Sequence, residues 1–222
     1  MKILMVSDLH YSIKPFKGRD ESKVFETFYE VVEDEKPNLV LSAGDFGEEA
    51  TEKMFRPICK QAYFLAIYGN HDNIGLIKSL RNENGTLCWL SDGNIIEWQS
   101  LRIAAINGNV VLRKRKPHHH TPEEVEQLIE AYAARGRIDA LVTHEAPKHH
   151  LLKSSGYEVL SKAMEVLKPK LYLCGHTHFP SQIIEVDGTT LVSLDSSIKN
   201  RSYAIAEFDL DIFHDIEIKG FL

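Results

Sequence analysis

The chain has 222 residues, a length that suits one domain or at most two small ones, with 43% hydrophobic and 26% charged residues. That balance excludes a mainly disordered, collagen-like or disulfide-scaffold protein. Twenty-six Lys and Arg against 32 Asp and Glu leave a net charge of −6, so no whole-chain basic field draws it to nucleic acid or anionic lipid.

Cys59, Cys88 and Cys174 are an odd count with no C-x-x-C pair, which fits a reducing compartment. No apolar run approaches the roughly 18 residues of a membrane helix, and residues 3–6 are too short for a signal-peptide core. The expected location is cytoplasmic, without membrane contact.

Residues 2–7 are an apolar run ending in Ser-Asp, a buried strand. Residues 20–35 carry Val24, Phe25, Phe28, Val31 and Val32 at helical spacing, and Pro37 stops them. A strand over 39–43 is closed by Gly44, a helix over 48–61 is kinked or interrupted by Pro57, and a strand over 63–68 is closed by Gly69. A short helix follows over 74–82. Residues 86–90, 94–99 and 101–107 are strand-like runs with turn residues between them, such as Asp92-Gly93, which predicts antiparallel pairing. Residues 108–121 read as irregular. Thr121 and Glu124 form a capping box with Pro122 in the first turn of a helix that ends near Arg135. A strand over 138–143, a helix over 157–167 and a strand over 170–174, closed by Gly175, come next. The tail is all strand, over 182–186, 189–194, 201–208 and 212–219. Strand–helix alternation followed by hairpins predicts one α/β domain over 1–222, with two mixed sheets and helices outside.

Ligands in such folds gather at the C-terminal ends of strands. Here the strands are followed by Asp8-Leu9-His10, Gly44-Asp45, Gly69-Asn70-His71-Asp72, His144-Glu145 and Gly175-His176-Thr177-His178. Carboxylate oxygen and neutral imidazole nitrogen suit divalent first-row metals. Asp8 and His10, and likewise His176 and His178, are two apart; on extended backbone each pair points to one face. Asp8, His10, Asp45, Asn70, His144, His176 and His178 make seven candidate ligands, enough for two ions, with Asp45 placed to bridge them. Mn²⁺ is favoured; Fe, Zn²⁺, Ni²⁺ or Co²⁺ would also suit the donors. The glycines before three of these segments allow tight turns or close backbone approach.

In the order D-x-H, G-D, G-N-H-[D/E], H and G-H-x-H, these segments resemble the calcineurin-like metallophosphoesterase superfamily over residues 8–178. The resemblance implies an αββα four-layer sandwich with a dinuclear metal centre. One ion would take Asp8, His10, Asp45 and His178, and the other Asp45, Asn70, His144 and His176. Two such ions acidify a bridging water for in-line attack on phosphorus. His71 would then protonate the leaving group, with Asp72 orienting and charging it, and Asn70 and His71 would contact substrate. Members that act on phosphoproteins carry Arg after Gly-Asp and Glu after Gly-Asn-His. This chain has Phe46-Gly47-Glu48-Glu49 and Asp72 instead. Without that bidentate partner a phosphomonoester dianion is held less well, which tilts the expectation towards a small or nucleotide-type phosphodiester. A phosphomonoesterase, a nuclease and a non-catalytic metal-binding scaffold are the alternatives.

The stretch NGNVVLRKRKPHHH adds two features. Asn107 and Asn109 follow a strand and are candidate substrate contacts. Arg113, Lys114, Arg115 and Lys116 are either a solvated loop or an arm for nucleic acid. His118, His119 and His120 could take adventitious metal. Substrate identity, native metal and oligomeric state are not legible in the sequence.

Overall fold

The computed structural model describes residues 1–15, 20–152, 155–197, 199–209 and 212–221. In chain order the elements begin β1 (Lys2–Val6), α1 (Val24–Glu35), β2 (Leu39–Ser42), α2 (Glu52–Gln61), β3 (Tyr63–Ala66) and α3 (Ile74–Ser79). They continue with β4 (Ile95–Trp98), β5 (Leu101–Ile106), β6 (Asn109–Val110), β7 (His119–His120), α4 (Pro122–Ala133) and β8 (Ala140–Thr143). The chain then forms α5 (Glu158–Leu167), β9 (Leu171–Cys174), β10 (Gln182–Val186), β11 (Thr189–Ser193), β12 (Ser202–Asp209) and β13 (Ile212–Gly220).

One sheet has the order β13-β12-β1-β2-β3 and the other β10-β11-β9-β8-β5-β4. β1, β2 and β3 are parallel, as are β5, β8, β9 and β11, while β4, β10, β12 and β13 join antiparallel. Side chains alternate between the two faces along a strand, and the inner strands β2, β8 and β9 are buried on both faces. On β1, Leu4 and Val6 pack with Phe25, Phe28 and Phe55 under α1 and α2. Ile3 and Met5 turn the other way, to Leu65, Ile103 and Val142 between the sheets. On the far face Ala104, Leu141 and Tyr172 pack against Val125, Ile129 and Leu160 of α4 and α5. Three apolar layers between four layers of structure make the αββα sandwich expected.

The differences from the sequence reading are local. Helix α1 starts at Val24, not residue 20, because the Asp20 carboxylate accepts the Ser22 N–H at 3.0 Å and holds a turn. α2 starts at Glu52, after a turn in which Ala50 N–H donates to Gly47 O at 3.1 Å. It carries Pro57 without interruption, and its buried Phe55, Ile58 and Cys59 hold it against the sheet. Residues 86–90 form no strand. They are held by single bridges, Arg81 to Leu87 and Ala66 to Trp89. Residues 108–121 are less irregular than expected, since β6 and β7 pair in parallel.

Candidate metal centre

The ends of β1, β2, β3, β8 and β9 meet at one edge of the sandwich. Asp8 N–H donates to Gly44 O at 2.8 Å, His10 N–H to Asp45 O at 2.9 Å and Gly175 N–H to His144 O at 3.0 Å. His176 N–H donates to Asp8 Oδ2 at 2.8 Å, joining the two sheets across the site.

The side chains converge by a different route from the one expected. Asp8, His10, Asp45, His176 and His178 are not extended but left-handed, with φ of 60°, 50°, 58°, 67° and 50°. Such φ values are uncommon for residues other than glycine and cluster at functional sites. Tight left-handed turns, not strand alternation, therefore bring each pair to the cleft. Glycine is required where backbone meets side chain. A Cβ on Gly69 would lie 2.1 Å from Asp45 Oδ1, and one on Gly175 2.3 Å from Asp8 Oδ2.

Two groups result, Asp8 with His10 and His178, and Asp45 with His144 and His176, the ligand atoms within each lying within 4.8 Å of one another. Each carboxylate is pinned by one oxygen and presents the other. Asp8 Oδ2 accepts from Ser7 Oγ at 2.6 Å and from His176 N–H. Asp45 Oδ1 accepts the His71 N–H at 2.7 Å. Asp8 Oδ1, Asp45 Oδ2 and His10 Nε2 are buried without a hydrogen-bond partner. Orphaned buried polar atoms are costly unless something fills the space between them, so these residues fit a pair of cations. Asp45 Oδ2 lies 3.3 Å from His144 Nε2 and 3.7 Å from His10 Nε2, between the two groups. Asn70 Oδ1 sits 3.1 Å from His144 Nε2, on the second group.

The electrostatics are those of a negative well. Burial disfavours a charge on His144, but the Asp45 and Asp8 carboxylates outweigh it and push its pKa up to about 10. Burial, reinforced by the nearby His144 charge, takes His176 down to about 4, leaving its ring neutral. Asp45 is held well below the usual carboxylate range, because His144 and His10 overcome its burial.

His71 stands exposed at the mouth, its ring 5.3 Å from that of His10. Asp72 is not placed to orient it. The Asp72 carboxylate accepts the backbone N–H groups of Asp45, Gly69 and Phe46 at 2.8, 2.8 and 2.7 Å, so it braces the two loops that carry Asp45 and Asn70. Burial and the Asp45 charge push its pKa up to about 6. Asn107 is also corrected. It is fully buried, its Oδ1 accepts from Tyr68 N–H and Trp89 Nε1, and its Nδ2 donates to Leu90 O and Asp92 Oδ1. No polar atom of that amide is left for substrate. Asn109 does reach the centre, donating from Nδ2 to Glu145 Oε1 at 2.7 Å, and its Oδ1 is buried without a partner. Glu145 Oε1 lies 3.7 Å from His176 Nε2.

Three neighbours were not singled out in the sequence for this centre. Glu145 follows a ligand candidate directly. His118 is buried close enough to feel the charges of Asp45 and His144; burial and the adjacent His119 and Lys116 lower its pKa. Asp195 packs beside His178, and in sequence it is only the residue after a hairpin strand. Arg113, Lys114, Arg115 and Lys116 are exposed, with Lys114 Nζ on Glu124 at 2.6 Å. His119 Nδ1 accepts the Arg115 N–H and His120 Nε2 lies 3.4 Å from Asp92, so the three histidines form no metal group of their own among the described residues. Two surface hollows of about 460 and 410 Å³ lie beside α2 and residues 79–84, and no proposed ligand lines either.

An αββα sandwich whose five strand ends present two adjoining Asp–His groups defines a class of metal-dependent phosphoesterases. A family model for the calcineurin-like phosphoesterase superfamily domain matches residues 1–209, and the chain belongs to that superfamily. Solved structures share the fold at low identity. The Thermus thermophilus protein TT1561 has a TM-score of 0.75 at 12% identity, over 100% of this chain and 99% of that one. A novel archaeal phosphodiesterase has a TM-score of 0.58 at 18%, over 99% and 100%. GAP50 of Plasmodium, an anchor in the inner membrane complex, has 0.56 at 14%, over 99% and 83%. No curated protein sequence matches the chain significantly. No helix among the described residues is long and apolar enough to cross a membrane.

Proposed function

We propose that the chain is a phosphodiesterase of the cytoplasm, dependent on two divalent ions and acting on a small or nucleotide-type diester. The observation that carries this reading is the pair of carboxylates, Asp8 and Asp45, each held by one oxygen while the other is buried and unpartnered among imidazoles. Asp8, His10 and His178 would hold one ion, Asn70, His144 and His176 the other, and Asp45 both. Two such ions supply an activated water and neutralise phosphate charge. Mn²⁺ is the favoured occupant of this mixed nitrogen and oxygen set.

The protein's own groups supply the rest. His71, at the mouth beside His10, donates a proton to the leaving oxygen, a step worth typically about 10²–10⁴-fold. Asp72 holds the backbone on either side of Asp45 and Asn70 so that both stay aimed inward. Asn70, His71 and the free Oδ1 of Asn109 are the polar groups proposed to meet substrate. The lean towards a diester rests on the residues after Gly44-Asp45, which are Phe46-Gly47-Glu48-Glu49 and include no Arg; a diester carries one charge fewer than a monoester dianion and asks less of such a bidentate partner.

The test is turnover of bis-p-nitrophenyl phosphate against p-nitrophenyl phosphate, with Mn²⁺ and with chelator, in wild type and His71→Ala. Chelator-sensitive diester cleavage exceeding monoester cleavage is expected. His71→Ala should retain Mn²⁺ and lose about 10²-fold or more on an alkyl diester, with a smaller loss on the activated aryl one. Equal losses on both would remove the proton-donor role.

A further inference from the structure

Each histidine of the centre needs one ring nitrogen free of hydrogen, facing inward, and the partner of the other nitrogen decides which one that is. For His144 the partner is backbone, since Nδ1 lies 2.8 Å from Ala43 O. For His178 it is a carboxylate. Asp195 is fully buried, and its Oδ1 lies 3.4 Å from His178 Nδ1. The same oxygen accepts the Ser197 N–H at 3.0 Å, and Oδ2 accepts Asn200 Nδ2 at 2.5 Å. Every neighbour of this carboxylate that the structure pairs with it is a donor, so it requires His178 to carry its hydrogen on Nδ1. His178 Nε2 is then the nitrogen with the free lone pair, and it faces Asp8 Oδ1 at 4.0 Å.

The same short segment grips the backbone of His178 as well. Asn200 Nδ2 and Lys199 Nζ both reach the His178 carbonyl oxygen. That residue is held at φ 50°, a conformation a non-glycine residue keeps only where its surroundings enforce it.

We infer that Asp195 is a positioning residue that fixes the ring tautomer and direction of His178 and so completes the ion site of Asp8, His10 and His178. The inference rests on the metal reading above and deepens it, because no role in the reaction falls to Asp195 except through His178. An amide cannot replace the carboxylate here. Whichever way Asn is turned, its NH₂ faces a donor, either Asn200 or the Ser197 and His178 pair.

The experiment titrates metal-stripped wild type, Asp195→Asn and Asn200→Ala with Mn²⁺ by calorimetry, and records the ¹⁵N signals of the His178 ring in the metal-free proteins. Asp195→Asn should weaken one of two Mn²⁺ sites by about 10–100-fold and leave the other unchanged. The His178 ring should move from the Nδ1–H form to a mixture. Asn200→Ala keeps the carboxylate and should keep the wild-type tautomer. Unchanged affinity at both sites in Asp195→Asn, or an Nε2–H ring in wild type, would overturn the inference, and the wild-type spectrum decides even if the variant fails to fold. Wild type that binds no Mn²⁺ would instead overturn the metal reading, and the tautomer would still decide the role of Asp195.

Discussion

Gly69 shows how little room the centre leaves. A Cβ there would lie 2.1 Å from Asp45 Oδ1 and 2.5 Å from His144 Cε1, so even a methyl group must push the proposed bridging carboxylate aside. Gly69→Ala should keep its circular-dichroism spectrum and bind Mn²⁺ at least about 10-fold more weakly; unaltered affinity would mean that Asp45 does not need its present position. The candidate ligand residues were legible because each follows an apolar run at a strand end. Their geometry was not, since φ at Asp8, His10, His176 and His178 is set by tertiary hydrogen bonds that no residue spacing encodes. Asn107 misled for the same reason. It follows a strand as the candidate ligands do, yet its amide is spent on residues 68, 89, 90 and 92.

At the scale of elements, α1 is tied to the sheet under it by one carboxylate. Glu35 accepts from Lys2 Nζ at 3.2 Å on β1, Tyr203 OH at 2.9 Å on β12 and Lys219 Nζ at 3.0 Å on β13. Burial would raise the Glu35 pKa, but the bonds from Lys219, Tyr203 and Lys2 outweigh it and lower the value below 4.5. Because the folded carboxyl titrates below its unfolded value, its contribution is present above about pH 4.5 and is lost as pH falls through the folded value. Glu35→Gln should lower Tm by about 2–4 °C at pH 7, for a network worth about 1 kcal/mol. The gap from wild type should narrow as pH falls below 4.5 and the folded carboxyl takes up its proton, and a gap that persists in acid would assign the loss to packing. The elements themselves were largely visible in the hydrophobic pattern. What the pattern overstated were ends without a cap, such as residues 20–23, where an Asx turn wins over the helix. The pairing of β6 with β7 was not visible, because two-residue strands leave no periodicity.

For the whole molecule, two sheets packed face to face, with helices on their outer faces, set the parallel strands of each so that their ends meet at one edge. The sandwich is thereby a frame that brings five distant segments to one place, from residue 8 to residue 178 in sequence. A net charge of −6 and a cluster of buried, partly unpartnered donors favour cations at that place. Membership of the calcineurin-like superfamily agrees with this chemistry and leaves the substrate to experiment. The most direct test of the central claim is the number of Mn²⁺ ions bound per chain at equilibrium, measured on metal-stripped protein. Two ions per chain, with both sites weakened in Asp45→Asn, is the result predicted; a single ion, or two ions indifferent to Asp45, would contradict a centre bridged by that carboxylate.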